Sequence, residues 1–332
     1  MALGQCLPQV LHGRSRRSTA ELMPLAYLSR AGLRELVAQE PIEFDYQHSG
    51  KLIVYSDRAA LEEAKALAAY QATLGAEQAV LDAKACVALE PSLAAMGSRI
   101  QGGVHTPSED AGDCEKFCAG LDRLLAERYR VERLYHHDIG ALRREGRRLR
   151  SVLTDRGEIE ADLFVLATGI GSRRLTRPLG FDLPLYPLKG YSLTVPLATE
   201  AGSPRLSVTD SRHRIVYARL DRNLRIAAMV DVGARHGAVE PERILALKRR
   251  VAESFPGLTG LDRAAAWAGL RPATAQGKPI LGRSPCENLL LNVGHGALGF
   301  TLACGAGRVI ADLATGRMPA IALEPFRVGT VH

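Results

Sequence analysis

The sequence predicts a mixed fold in which α/β segments alternate along the chain with antiparallel α+β segments. A buried apolar run at 163–167 ends in a glycine-rich turn that leads into a helical stretch, which is typical of a strand in a parallel, helix-covered sheet. Residues 181–235 form successive strand-like stretches instead, which is typical of antiparallel pairing. With 332 residues, the chain is long enough for two domains.

Helices are predicted where apolar residues recur at helical spacing. Asp57 is a plausible N-cap, Pro91 stops a helix, Pro241 suits a first turn, and Gly316 suits a C-terminal end. The predicted helices are 18–39, 57–72, 80–91, 114–128, 241–257 and 295–316.

Strands are predicted for the apolar and β-branched stretches between these helices. The predicted strands are 50–56, 131–135, 139–145, 148–155, 158–169, 183–197, 214–220, 224–233, 262–274 and 288–294, with 278–284 as a short strand or loop. Residues 102–113 are rich in turn formers and are predicted to be a loop. Prolines interrupt the stretch 184–194, which predicts an edge strand in which Gly190 permits close approach of another group.

Composition excludes several classes of protein. Hydrophobic residues make up 46% of the chain and charged residues 24%, which excludes wholesale disorder, collagen and coiled coil. The mean hydropathy is −0.04, and we find no apolar run approaching the ~18 residues of a membrane span. The N-terminus lacks the apolar stretch of a secretory signal.

The net charge of +7 comes mainly from arginine, and many arginines lie in 142–151. We interpret this segment as a solvated hairpin with Leu142, Leu149 and Val152 facing inward; contact with an anionic surface is the alternative. No aromatic residues are interleaved to stack on bases, so nucleic-acid binding is not expected.

Cysteine and histidine spacing predicts no metal site. The six cysteines form no CxxC pair, the nine histidines are scattered, and no HExxH motif occurs. We therefore expect free, buried thiols in a reducing cytosol.

Residues Gly294 to Gly299 match G-x-G-x-x-G between a buried strand and a helix. No second long strand ending in Asp or Glu follows for a ribose contact, so we do not interpret the match as a dinucleotide fingerprint. The glycines still allow a ligand to approach the backbone, and a helix start offers N–H groups and partial positive charge. A tight turn without a ligand is the alternative.

Two further side chains are candidates for substrate binding. Arg271 stands in an apolar, proline-stiffened segment, and a buried arginine needs an anion, from either a protein carboxylate or a substrate carboxylate. Tyr217 lies on one face of a predicted strand, where a core or rim position is the default.

Several segments together resemble the small, FAD-containing subunit of bacterial D-amino-acid dehydrogenases, in the D-amino-acid oxidase superfamily. The resemblance runs through PLYPLKGYSLT, WAGLRPAT, GKPILGRS, NLLLNVGHGALGFTLACGAGR and ADLATGR, with support from PSEDAGDCEKF and the early QCLP and AYLSR stretches. It extends over essentially the whole chain, and it favours D-amino-acid dehydrogenase over glycine oxidase or sarcosine oxidase.

The resemblance implies the cofactor FAD and the residues that hold it. The expected FAD contacts are Ile139, Ala167, Thr168, Gly169, Gly190, Gly294, His295, Gly296, Ala297, Leu298 and Gly299. Arg271 matches the arginine that holds the substrate carboxylate. Tyr217 lies two positions from the matching tyrosine, which keeps it on the same strand face.

The resemblance also implies an incomplete Rossmann-like FAD-binding domain interleaved with an antiparallel-sheet substrate domain. We expect substrate-domain elements at 1–98 and 181–271, and FAD-domain elements at 99–180 and 272–332. The family opens with a strand–GxGxxG–helix unit that is not in this sequence, and Met1 aligns after it. We therefore expect a misassigned start, a truncated gene or a partner that supplies the unit, with weak or no activity of the chain alone.

The function implied is oxidative deamination of D-amino acids to 2-oxo acids and ammonia by hydride transfer to FAD. The alternatives are another amine oxidase, acting on glycine, sarcosine or D-hydroxyproline, and a non-catalytic remnant or partner-dependent subunit. The resemblance further implies a quinone or respiratory-chain acceptor and a cytoplasmic location with peripheral contact at the inner face of the cell membrane.

Overall fold

The computed structural model describes residues 16–199 and 202–329. The chain divides into two compact units, each assembled from separate stretches. Of the described residues, unit 1 comprises 16–41, 124–188 and 270–329, and unit 2 comprises 42–123, 189–199 and 202–269. The early QCLP stretch and Cys6 lie outside the described residues.

The helices of the described residues are α1 (Arg16–Gln39), α2 (Arg58–Ala72), α3 (Ala83–Leu89), α4 (Cys114–Tyr129), α5 (Ser172–Thr176), α6 (Pro241–Ser254) and α7 (Gly299–Ala314). The strands are β1 (Lys51–Tyr55), β2 (Ala79–Asp82), β3 (Gly102–Thr106), β4 (Ile139–Glu145), β5 (Arg148–Thr154), β6 (Gly157–Glu160), β7 (Phe164–Leu166), β8 (Leu185–Pro196), β9 (Ser207–Asp210), β10 (Ile215–Leu220), β11 (Asn223–Val232), β12 (Ala265–Thr274), β13 (Ile280–Arg283) and β14 (Leu289–Val293). The mixed fold class is confirmed.

Unit 1 contains two three-stranded sheets. One has the order β13-β14-β7, with β7 parallel and β13 antiparallel to β14; the other is the antiparallel meander β4-β5-β6. Their apolar side chains share one core, in which Leu149, Leu166 and Leu291 are each at most 4% exposed. Leu142 and Val152 pack against that core, as expected for the arginine-rich hairpin.

The arginines of that hairpin are largely paired. Arg150 bonds to Glu145 and Glu160, at 2.9 and 3.2 Å, and Arg147 lies 3.3 Å from Glu287. These pairs support the interpretation as a solvated hairpin rather than a free anion-binding surface.

Helix α7 corrects the expectation that no apolar run is long enough for a membrane span. Residues Gly296–Ala314 have the length and composition to cross a membrane, with a mean hydropathy of 1.4. In unit 1 this helix packs on α1, with Leu302, Ala306 and Val309 at most 1% exposed. A Cβ at Gly305 would lie 2.7 Å from the Leu25 carbonyl oxygen, so the helices approach closely. A third of this apolar window is therefore buried, on the side that packs in unit 1.

Most of the large sheet belongs to unit 2. Its eight strands have the order β12-β8-β11-β10-β9-β1-β3-β2, with β1 parallel to β9 and antiparallel pairing in β1–β3, β2–β3, β9–β10 and β10–β11. Helix α6 adds Leu247 and Val251 to the core on one face of this sheet. The position of β8 between β12 and β11 corrects its prediction as an edge strand.

Local signals place several elements correctly. Asp57 caps α2 by accepting a hydrogen bond from the Ala60 N–H, at 2.8 Å. Pro241 is in the first turn of α6, where its missing N–H has no cost.

Two predictions fail because glycine and proline have more than one use. Residues 102–106 form strand β3 rather than a loop. A Cβ at Gly102 would lie 2.6 Å from the Leu81 carbonyl oxygen, so the glycine serves close strand packing and not a turn. The predicted helix 80–91 begins as strand β2, and Asp82 caps the shorter α3 by accepting from the Ala85 N–H.

The segment 131–135 forms no strand, because none of the described residues pairs with its backbone as a ladder; Val131 is 47% exposed. The structure does not divide the chain at 98/99, because β3 pairs with β1 within unit 2. The predicted boundaries at 180/181 and 271/272 fall close to the observed changes at 188/189 and 269/270.

Candidate functional site

Three chain segments of unit 1 meet at the ends of β7, β12 and β14. Ala273 on β12 forms an antiparallel bridge with His295, which follows β14. A Cβ at Gly169, after β7, would lie 3.8 Å from Pro272 Cγ. The structure therefore brings together predicted residues that lie more than a hundred positions apart.

The turn after β14 requires its glycines. Gly294 and Gly296 have φ values of 80° and 56°, in the left-handed region. A Cβ at Gly294 would lie 2.8 Å from Thr274 Cγ2 and 3.0 Å from Leu185 Cδ2. The backbone of this turn is consequently free of side chains and packed closely on β12.

His295 carries a buried imidazole nitrogen that nothing in the described part of the chain satisfies. Its Nε2 is fully enclosed and has no hydrogen-bond partner among those residues. Burial lowers the pKa of His295 to about 4, so the ring is neutral at physiological pH. An unsatisfied buried polar group costs about 1–3 kcal/mol, which a ligand group would recover.

The start of α7 is open to an electron-rich group. Residues Gly296–Leu298 form a 3-10 turn that leads into α7 at Gly299, and Ala297 is exposed. The first turn of α7 has no acidic residue, and no side chain caps its N-terminus. The free N–H groups and the helix dipole therefore present partial positive charge here.

Arg271 is a part-buried cation without a partner. Neither a hydrogen bond nor an ion pair to any described residue satisfies its guanidinium, and burial lowers its pKa. By contrast, Arg173 holds Asp182 through two hydrogen bonds of 2.8 and 2.7 Å. No carboxylate of residues 16–199 and 202–329 pairs with Arg271. Of the two interpretations, a protein carboxylate or a substrate carboxylate, this favours the second.

The turn after β7 is solvent-accessible. Ala167 and Thr168 are exposed, and Gly169 has a φ of 57°. The Thr168 and Ser172 hydroxyls are hydrogen-bonded at 2.9 Å, which joins this turn to α5. Ile139, at the start of β4, is half-buried, and its carbonyl oxygen accepts a hydrogen bond of 2.8 Å from Arg174 of α5.

The two remaining predicted residues belong to unit 2. Gly190 is buried within β8. Tyr217 is 0% exposed in the apolar core, with its ring edge-on to Phe255 at 4.8 Å. This position argues against a contact between Tyr217 and substrate, because the offset of two positions keeps the residue on one strand face and that face is the core. The substrate role stays a prediction.

Sequence reasoning missed two residues of this region. Asn292 Oδ1, on β14, is buried without a hydrogen-bond partner among the described residues. The sequence did contain an indication of this residue, because Asn292 is the single polar residue in the apolar run of β14. Thr274 supports the glycine turn through its methyl group, which no sequence pattern indicates.

Comparison with known families identifies the class of protein. Residues 2–313 match the DAO family of FAD-dependent oxidoreductases, and the chain belongs to this family.

Relatives and solved structures agree with the assignment. The chain is 44% identical to D-amino acid dehydrogenase 2 of Ralstonia nicotianae, over 94% of this chain and 76% of the relative. It is 40% identical to D-amino acid dehydrogenase of Paramagnetospirillum magneticum, over 94% of this chain and 74% of the relative. The crystal structure of glycine oxidase from Geobacillus kaustophilus superposes with a TM-score of 0.84 at 23% identity, covering 94% of this chain and 84% of that one, which shows the same fold.

The residues present fit FAD. The enclosed His295 Nε2 lacks a partner, and the glycine turn leaves its backbone open. The start of α7 has no opposing carboxylate in its first turn. That Gly294–Gly299, the turn after β7 and Ile139 contact the flavin stays a prediction, which this chemistry supports.

Proposed function

We propose that this chain catalyses the oxidative deamination of D-amino acids to 2-oxo acids and ammonia, with FAD as cofactor. The observation that carries the proposal is the part-buried Arg271, which has no partner among the described residues and lies two residues from the Ala273–His295 bridge. The names of the relatives supply the substrate class.

The roles of the residues follow from their chemistry. Arg271 binds the substrate carboxylate through two parallel N–H donors, which fixes the orientation of the Cα–H bond. The neutral His295 ring and the apolar turn exclude water without adding charge. FAD, when bound, supplies the acceptor for the hydride that leaves Cα. The neutral amine of the substrate needs no protein base, and the imino acid is hydrolysed by water.

The test is the visible spectrum of the chain with added FAD, before and after anaerobic addition of D-alanine. We expect retained flavin bands that bleach with D-alanine and persist with L-alanine. Bleaching by glycine or sarcosine but not by D-alanine would favour another amine oxidase instead. Retained flavin that no amine bleaches would contradict the proposal.

The location and the electron acceptor are further proposals. We place the chain in the cytoplasm at the inner face of the cell membrane, with a quinone as acceptor. The five described cysteines are all free, which supports a reducing compartment. Cys86 and Cys286 are buried as expected, whereas Cys114 and Cys118 are exposed and Cys304 is half-buried, which corrects the expectation that all the thiols are buried. The quinone, the membrane contact and a partner chain stay predictions. Reduction of a soluble quinone by D-alanine, and recovery of the chain with washed membranes, would test the first two.

A further inference from the structure

Lys278 is a buried cation that the reaction does not use. Its side chain is 9% exposed, on the turn between β12 and β13, and its ammonium lies 2.5 Å from Glu21 on α1. Burial acts to raise the pKa of Glu21, but hydrogen bonds from Lys278 and Arg17 outweigh it, and the pKa lies below its ordinary value. A buried lysine is tolerated when it is paired, and this pair joins the turn to α1.

The turn itself is held together by hydrogen bonds. The Thr274 hydroxyl donates to the Lys278 carbonyl oxygen at 2.6 Å, and the Gly277 N–H donates to the Thr274 carbonyl oxygen at 3.1 Å. These bonds close the turn from 274 to 278. A displacement of Lys278 is therefore transmitted to Thr274.

Thr274 in turn contacts the glycine turn of the flavin site. A Cβ on Gly294 would lie only 2.8 Å from the Thr274 methyl carbon, so the methyl group packs directly against the turn. The preceding residue, Ala273, bridges to His295. Lys278 is thus connected to the backbone of the glycine turn through Thr274.

On its other side, the turn borders empty space. A small pocket of about 30 Å³ is lined by Thr274, Gln276 and Lys278 together with Pro184, Pro325 and Arg327. The turn is therefore less closely packed on that side than on the side that faces α1.

We propose that Lys278 and Glu21 are positioning residues that hold the glycine turn at 294–296 in its FAD-binding conformation, acting through Thr274. The proposal rests on the assignment of that turn to FAD. It adds a role for two residues that touch neither cofactor nor substrate.

The test compares Lys278→Met and Glu21→Gln with two controls. Arg17→Gln removes the exposed partner of Glu21, and Lys65→Met removes the lysine of an exposed pair on α2. Amide hydrogen exchange of the peptide spanning 290–300 is measured in the chain without FAD, followed by the FAD dissociation constant and the flavin absorption maximum. None of these measurements uses a substrate.

We expect both site variants to accelerate exchange in this peptide and to weaken FAD binding on the order of tenfold, as for residues that support ligand contacts. The controls should change FAD binding by less than about twofold. The charge-reversed double variant Glu21→Lys/Lys278→Glu should recover most of the affinity.

Lower thermal stability with unchanged exchange at 290–300 and unchanged FAD affinity would show a merely structural pair and overturn the proposal. Because FAD binding is measured without substrate, this result is distinguishable from a failure of the proposed activity. That failure would show as flavin in the parent chain that D-alanine does not reduce.

Discussion

In unit 2, the buried Lys189 ammonium lies 3.1 Å from the Glu240 carboxylate, whereas in unit 1 the part-buried Arg271 guanidinium has no described partner. The same contrast holds for polar groups nearby. The Tyr191 hydroxyl in unit 2 donates to Asp231 at 2.6 Å, while His295 Nε2 in unit 1 is enclosed and unsatisfied.

The difference separates structural polar groups from ligand-binding ones. A buried cation with its own carboxylate is complete in the folded chain and contributes to the fold. A cation or imidazole left open raises the free energy of the folded chain until a ligand supplies the missing partner. The contrast applies to single groups rather than to whole units, because the Tyr217 hydroxyl in unit 2 is also buried without a partner among the described residues, and Lys278 in unit 1 is paired with Glu21.

The largest expected effect is on Arg271. Arg271→Ala should lower kcat/KM for D-alanine on the order of 10³-fold, because truncating one partner of a buried carboxylate pair costs about 4 kcal/mol. Arg271→Lys should lose less, since it keeps the charge but not the two parallel donors. Steady-state kinetics and FAD content are measured together. If Arg271→Ala and the parent have the same kcat/KM for D-alanine, Arg271 does not hold the carboxylate.

The next effect concerns the glycine turn. Gly294→Ala should lower the free energy of unfolding by about 3 kcal/mol, from left-handed strain and crowding against Thr274. Gly171→Ala is the matched control, because a Cβ there meets nothing within 4 Å and its φ of −68° is ordinary. Urea unfolding measures both. Equal costs at the two positions would contradict the close packing of the turn.

His295 gives a pH-dependent effect. Its pKa is about 4 in the folded chain against 6.5 ordinarily, so only the unfolded chain takes up this proton between pH 6.5 and 4. The folded chain should therefore lose about 3 kcal/mol of stability from this group as the pH falls across that window, and almost none above it.

His295→Gln should remove this contribution, so the difference between variant and parent isolates it. His236→Gln, at an exposed position, is the control. Unfolding free energies at pH 4.5 and 7.5 are compared. The same pH dependence in parent and His295→Gln would mean that the ring is accessible to protons in the folded chain.

The smallest effect is expected at Tyr217. Tyr217→Phe should change the free energy of unfolding by less than about 1 kcal/mol, because its buried hydroxyl has no hydrogen-bond partner of normal geometry among the described residues. The KM for D-alanine should stay unchanged. A large rise in KM with unchanged stability would restore the substrate role that the core position argues against.

Elements with local signals were predictable from sequence. Asp57 at the start of α2 and Pro241 in α6 act on groups a few residues away, so their chemistry is visible in a short window. The glycines of β3 were misinterpreted because their reason, the Leu81 carbonyl, is distant along the chain. The interior place of β8 likewise depends on which strands pair with it.

By itself, the sequence determined the glycine turn at 294–299, the arginine at 271 and the resemblance that indicates FAD. These follow from residue types in a local order. Only the tertiary structure decided that Arg271 is left unpartnered and that Tyr217 belongs to the core. It also revealed the Glu21–Lys278 pair, which joins positions more than 250 residues apart. Burial and pairing depend on distant parts of the chain, and no local pattern records them.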